Sequence, residues 1–146
     1  MVDPKQRLKK PSGSKKPLRR GFTLYLCHNL DYDDVADALN RSGIRFKRHR
    51  EFFAGNTPDT KLLPKVGQHR WILVTFDQKQ RTRAIENQLI KSYKIRQFVF
   101  TSGQIGNVGE ILVKASATMR NICKRREGPF VYSISSSGNV KERRLG

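Results

Sequence analysis

The sequence predicts an α/β fold with a mostly parallel central sheet between layers of helices. The run Trp71-Ile72-Leu73-Val74-Thr75-Phe76 is apolar and rich in β-branched residues, as in a strand buried on both faces of a parallel sheet. Extended apolar runs alternate with segments of helical periodicity along the chain, which argues for successive β-α-β units. Eight Phe, four Tyr and one Trp in 146 residues are enough to anchor such a core.

Residues 1–20 carry eight basic side chains against Asp3 alone, net +7 of the chain's +18. Pro4, Pro11, Pro17 and Gly13 break any periodicity there, so this stretch reads as a disordered cationic arm ahead of a folded region, 21–146. Phe22 to Leu30 reads as the first strand. Asp31, Asp33 and Asp34 crowd a helix start, where the helix dipole favours acids; Val35, Ala38 and Leu39 give its apolar stripe and Gly43 its stop. Ile44 to Lys47 is a short strand whose low apolar content places it near the sheet edge. Phe52 and Phe53 tuck under a loop. Thr57 then reads as N-cap, Pro58 as first helical residue and Asp59 as a first-turn acid of a helix that Pro64 shortens or kinks and Gly67 ends.

The central strand follows and stops at Asp77. A polar connection, Gln78 to Thr82, leads to the clearest amphipathic helix, Thr82 to Lys94, with Ile85, Leu89, Ile90 and Tyr93 on one face. Gln97 to Thr101 is the next strand. Gly103, Gly106 and Gly109 space a loop without the spacing of a dinucleotide fingerprint. Val108 to Ile122 is the last helix, with Lys124-Arg125-Arg126 behind it. Phe130 to Ser135 and Val140 to Arg143 flank Ser136-Ser137-Gly138-Asn139, a terminal hairpin.

Thirty Lys and Arg against twelve Asp and Glu favour phosphate backbones or anionic surfaces as partners. Cys27 and Cys123 form no C-x-x-C pair and allow one bridge at most, so no disulfide framework is expected and a reducing cytoplasm is the expected location. No apolar run approaches the roughly 18 residues of a membrane span. Phe22 to Cys27 follows a long basic segment without a small-residue cleavage site, which argues against a signal peptide. His28, His49 and His69 lack ligand spacing, and Cys27 reads as a buried structural thiol.

Chemistry points to the carboxylates. Asp77 ends the central strand, at the edge where open α/β sheets place their ligands; Asp59 opens one helix and Glu86 lies near the start of another. Oxygen donors of this kind suit Mg²⁺ or Mn²⁺. Singly, Asp59 also reads as a helix N-terminal acid and Glu86 as a solvated helix residue.

Cys27-His28-Asn29-Leu30, Thr57-Pro58-Asp59, Trp71 to Asp77, Glu86, Pro129-Phe130 and Gly138 together resemble the PIN-like nucleases, most closely the branch containing VapC-type toxins of toxin–antitoxin pairs. The likeness extends from Leu24 to Val140. It implies a PIN-like three-layer α/β/α sandwich and a metal-dependent endoribonuclease, in which Asp59, Asp77 and Glu86 hold Mg²⁺ or Mn²⁺ for attack of water on a phosphodiester. It also implies RNA as substrate, with an antitoxin protein and a second copy of the chain as candidate protein partners. One departure stands out: the family's first acid falls at Cys27, and a thiol is a poor ligand for hard Mg²⁺. Asn29, Asp31 and Thr75 are the candidate supporting residues; Arg81, Arg83, Lys124, Arg125 and Arg126 are candidates for holding RNA. The rival readings are a PIN-like RNA-binding protein that no longer cuts, and a small basic ribosome- or nucleic-acid-associated protein whose acids are structural.

Overall fold

The computed structural model describes residues 22–55, 57–76, 83–101 and 107–143. The expected arm (1–20), Asp77, the connection 78–82 with Arg81, and Gly103 and Gly106 lie outside the described residues.

Among the described residues six strands form one sheet: β1 (Thr23–Leu26), β2 (Arg45–Arg48), β3 (Ile72–Phe76), β4 (Arg96–Phe100), β5 (Phe130–Ile134) and β6 (Val140–Arg143), in the order β2-β1-β3-β4-β5-β6. The first five are mutually parallel, and β6 returns antiparallel to β5 as the expected hairpin. Among the described residues four helices, α1 (Asp33–Arg41), α2 (Asp59–His69), α3 (Arg83–Ser92) and α4 (Val108–Arg125), connect the parallel strands.

The alternation of side chains along each strand divides the core in two. Leu24, Leu26, Ile72, Val74, Phe98 and Phe100 pack with Val35 and Leu39 of α1 and with Leu112, Ala115 and Met119 of α4. Tyr25 and Leu73 turn the other way, onto Leu62, Leu63 and Val66 of α2 and Ile90 of α3. The result is the three-layer α/β/α sandwich with a mostly parallel sheet that the sequence predicts.

Several boundaries differ. The first strand stops at Leu26, and His28–Leu30 form a 3-10 turn that buries Leu30, so the apolar run continues as a turn. Thr57 is not the N-cap of α2; its hydroxyl donates to the Ala54 carbonyl at 2.8 Å, and extended Pro58 occupies the cap. Nor does Gly67 end α2, which runs on to His69. That glycine is required by a close approach: a Cβ there would lie 2.6 Å from Tyr93 Cβ.

Gly109 lies inside α4, as the expected helix from Val108 has it, and so spaces no loop. A Cβ on Gly109 would lie 2.7 Å from Ala38 Cβ and 3.2 Å from Val35 Cα, so α1 and α4 touch through it. Gly→Ala inside a helix ordinarily stabilises by up to about 1 kcal/mol. Here the crowded atoms belong largely to backbone and first carbons, so Gly109→Ala is expected to destabilise by about 1 kcal/mol net. Chemical denaturation of the two proteins checks the sign.

The crossovers β1-α1-β2 and β4-α4-β5 advance in opposite directions across the sheet yet lay their helices on the same face. They therefore have opposite hand, although such connections overwhelmingly share one.

Candidate functional site

All five parallel strands end at one edge of the sheet, and α2 and α3 begin there. Adjacent β1 and β3 send their following helices to opposite faces, which opens a crevice at the carboxyl edge of the kind that takes ligands in doubly wound folds. Asp59 is the first residue of α2 and Glu86 lies in the first turn of α3, so their backbones occupy this edge. The side chains of Asp59, Arg83 and Glu86, and all of Asp77, lie outside the described residues.

Cys27 directly follows β1, with its amide donating to the Val74 carbonyl at 3.2 Å and its thiol buried. Asn29 is half-buried in the turn beyond it.

Asp31 is committed to arginines, a role that sequence reading missed. Pairing of Leu26 with Arg48 sets the ends of β1 and β2 side by side. Arg48 Nε then donates to Asp31 Oδ1 at 2.6 Å, and the backbone N–H and Nε of Arg50 reach Oδ2 at 3.0 and 3.1 Å. Arg50 Nη2 also donates to the Asp31 carbonyl at 2.9 Å, and Arg48 Nη2 reaches exposed Asp33 at 2.9 Å. Burial alone would push the Asp31 carboxyl up, but the hydrogen bonds from Arg48 and Arg50 outweigh it and hold the group below its ordinary 3.8. The only available signal was the pair of arginines bracketing the end of a neighbouring strand, and it becomes legible once the register is known.

His49 is likewise a structural residue. Its Nε2 donates to the Ala54 carbonyl at 2.8 Å and its Nδ1 meets the Tyr25 hydroxyl at 2.9 Å, so both nitrogens are occupied. The ring lies 5.9 Å from that of His28, far closer than the sequence separation suggests. Thr75 Oγ1 accepts from Gln97 Nε2 at 2.8 Å, on the sheet face that carries α2 and α3.

A family model, the PIN-like domain, matches residues 26–102, just over half the chain. The chain belongs to the PIN-like domain family. The matched segment runs from the end of β1 past the end of β4 and contains Asp59, Asp77 and Glu86. No curated protein and no solved structure matches the chain.

In this PIN-like domain the described side chains do not themselves supply a metal centre. Among the described residues no three of His, Cys, Asp and Glu stand together as one, and the arginines occupy both oxygens of Asp31. Lys124, Arg125 and Arg126 are not brought to this edge. α4 leads from the end of β4 to the start of β5, so its last residues stand at the amino edge, where Arg126 Nη1 donates to the Tyr132 hydroxyl and to Glu142, each at 2.8 Å. Among the described residues no helix is long and apolar enough to cross a membrane.

Proposed function

We propose that this PIN-like domain is a divalent-metal-dependent endoribonuclease of the VapC-type class, with Asp59, Asp77 and Glu86 as the ligands of Mg²⁺ or Mn²⁺. The observation that carries this reading is the family match over 26–102, which spans all three acids. The backbone supports it by opening α2 and α3 at the edge where β3 ends. Bound there, the ion would activate water and neutralise charge developing on the phosphodiester. The arginine cage around Asp31 fixes the end of β2 against the turn after β1 and so shapes one wall of the crevice. Arg50, whose side chain is 58% exposed although anchored to Asp31, is a cation on that wall for an RNA phosphate. An antitoxin protein and a second copy of the chain are the protein partners that this reading carries with it.

Cleavage of labelled single-stranded RNA in Mn²⁺, stopped by a chelator and restored by added Mn²⁺, is the expected result. Cleavage that persists undiminished in the chelator would sink the metal-dependent reading.

A second reading is favoured by two observations: the thiol at the end of β1 is buried, and the nearest following carboxylate is closed by arginines. On that reading the domain binds RNA at the same edge without cutting it. Salt-sensitive RNA binding without Mn²⁺-dependent cleavage would select it.

A further inference from the structure

A pocket of about 300 Å³ lies at the opposite, amino edge of the sheet, lined by Gly67, Arg70, Trp71, Tyr93, Lys94, Ile95, Arg96 and Glu127. It is formed where α2 and α3 end and where the chain leaves α4. Its charged lining is three cations and one carboxylate. Tyr93 and Tyr32 are the two exposed large hydrophobic residues among those described, and Tyr93 is the one in the pocket.

Two features distinguish this pocket from an incidental hollow. Arg70, directly after α2, and Lys94, two residues after the end of α3, both have left-handed backbone, with φ of 58° and 52°. Glycine is the residue that this conformation favours at a helix end. A cation anywhere in the last turn would satisfy the helix dipole without that strain, so the dipole alone does not account for cations at both positions. Neither side chain has an acidic partner among the described residues. The walls are also fixed in advance: Arg96 Nη2 donates to the Arg70 carbonyl, and Trp71 stacks with His69 at 4.4 Å and with Tyr25 at 5.7 Å between ring centroids.

We propose that this pocket binds a nucleoside monophosphate, as a free nucleotide or as the phosphorylated end of an RNA strand, with its base on Tyr93 and its phosphate on Arg70 and Lys94. The volume stands at the lower end for ligand pockets, roughly 300–1,000 Å³, and so suits one nucleotide rather than a length of strand. An aromatic surface beside paired cations recognises a flat base joined to an anion, since stacking and charge act on different parts of one ligand. The assignment is independent of any chemistry at the carboxyl edge.

The test is titration of the full-length protein with AMP, adenosine and inorganic phosphate at physiological salt. Arg70→Gly and Lys94→Gly remove the cations while relieving the left-handed backbone, so the fold is not at risk. Each is expected to weaken AMP binding roughly 10-fold, whereas Lys47→Gln on the edge strand β2 leaves it unchanged. Tyr93→Phe is expected to retain binding and Tyr93→Leu to weaken it. Competition with 5′-phosphorylated and unphosphorylated RNA of one sequence separates the sources. Selective displacement of AMP by the phosphorylated strand assigns the pocket to strand ends as well, and no displacement assigns it to the free nucleotide. AMP affinity indifferent to both glycine variants, phosphate binding as tightly as AMP, or no AMP binding at all would overturn the proposal.

Discussion

Cys27→Asp is expected to tighten Mn²⁺ binding by roughly 10- to 100-fold or more, since changes merely around a metal's ligands are typically worth that much. The substitution puts an oxygen donor at the end of β1, next to the crevice where α2 and α3 begin. The present thiol is buried, 8% exposed, within the apolar cluster formed with Leu26, Leu30 and Val74. A carboxylate there without an ion is desolvated, so the metal-free fold is expected to lose about 3 kcal/mol. The two effects have opposite signs and appear in one experiment: thermal melts with chelator fall, and the rise produced by Mn²⁺ grows. Cys27→Asn separates charge from shape, because it supplies an oxygen without a negative charge and should reproduce little of either effect. RNA cleavage by the same three proteins follows the metal affinity if the carboxyl edge is the reactive one. Equal Mn²⁺ stabilisation of the native and Cys27→Asp proteins would show that position 27 does not adjoin the ion.

The second large effect falls on Asp31. Asp31→Ala leaves Arg48, whose side chain is 19% exposed, without its best acceptor and removes two bonds from Arg50. Breaking a buried charge pair from one side costs about 3 to 5 kcal/mol, and partial solvent access to the arginines reduces this to about 2 to 3. For a domain of this size that is a fall in Tm of roughly 10 °C. Asp33→Ala is the control: its side chain is 82% exposed although bonded to the same Arg48, and its loss should stay within about 0.5 kcal/mol. The pH dependence follows from the lowered Asp31 pKa. A depressed carboxyl contributes stability that is complete above the ordinary value of 3.8 and is lost as pH falls below it through the folded value. The native protein should therefore weaken steeply below about pH 4, and Asp31→Ala should show a flatter acid limb. Equal melts for the two single variants would remove the cage from the account.

The layers of the fold were legible because burial imposes a period. The central run Ile72 to Phe76 had to lie between two helix layers, and Val35, Ala38 and Leu39 had to face it. Boundaries were less legible wherever tertiary contact overrode local preference. Leu30 prolonged an apparent strand because it is buried from a turn, and Gly67 read as a helix stop when its real constraint is Tyr93. At the carboxyl edge, helical periodicity made the starts of α2 and α3 legible, and with them the backbone positions of Asp59 and Glu86. The fate of Asp31 was not, because its partners lie 17 and 19 residues away and meet it only through the pairing of β1 with β2. The amino-edge pocket was invisible for the same reason, being assembled from three segment ends with no shared motif.

The opposite hand of the last crossover bears on how the molecule divides. A chain whose crossovers all turned alike would put α4 beside α3, leaving α1 to cover its face of the sheet alone. Returned to the other side, α4 closes over α1 at Gly109 and shields β1, β3, β4 and β5 together. The family-matched segment 26–102 thus depends on residues beyond its own end to complete the covering of one face of its sheet. A truncation at the family boundary would expose Val35, Leu39, Val74 and Phe98 to water, so the PIN-like segment is not a separable module here.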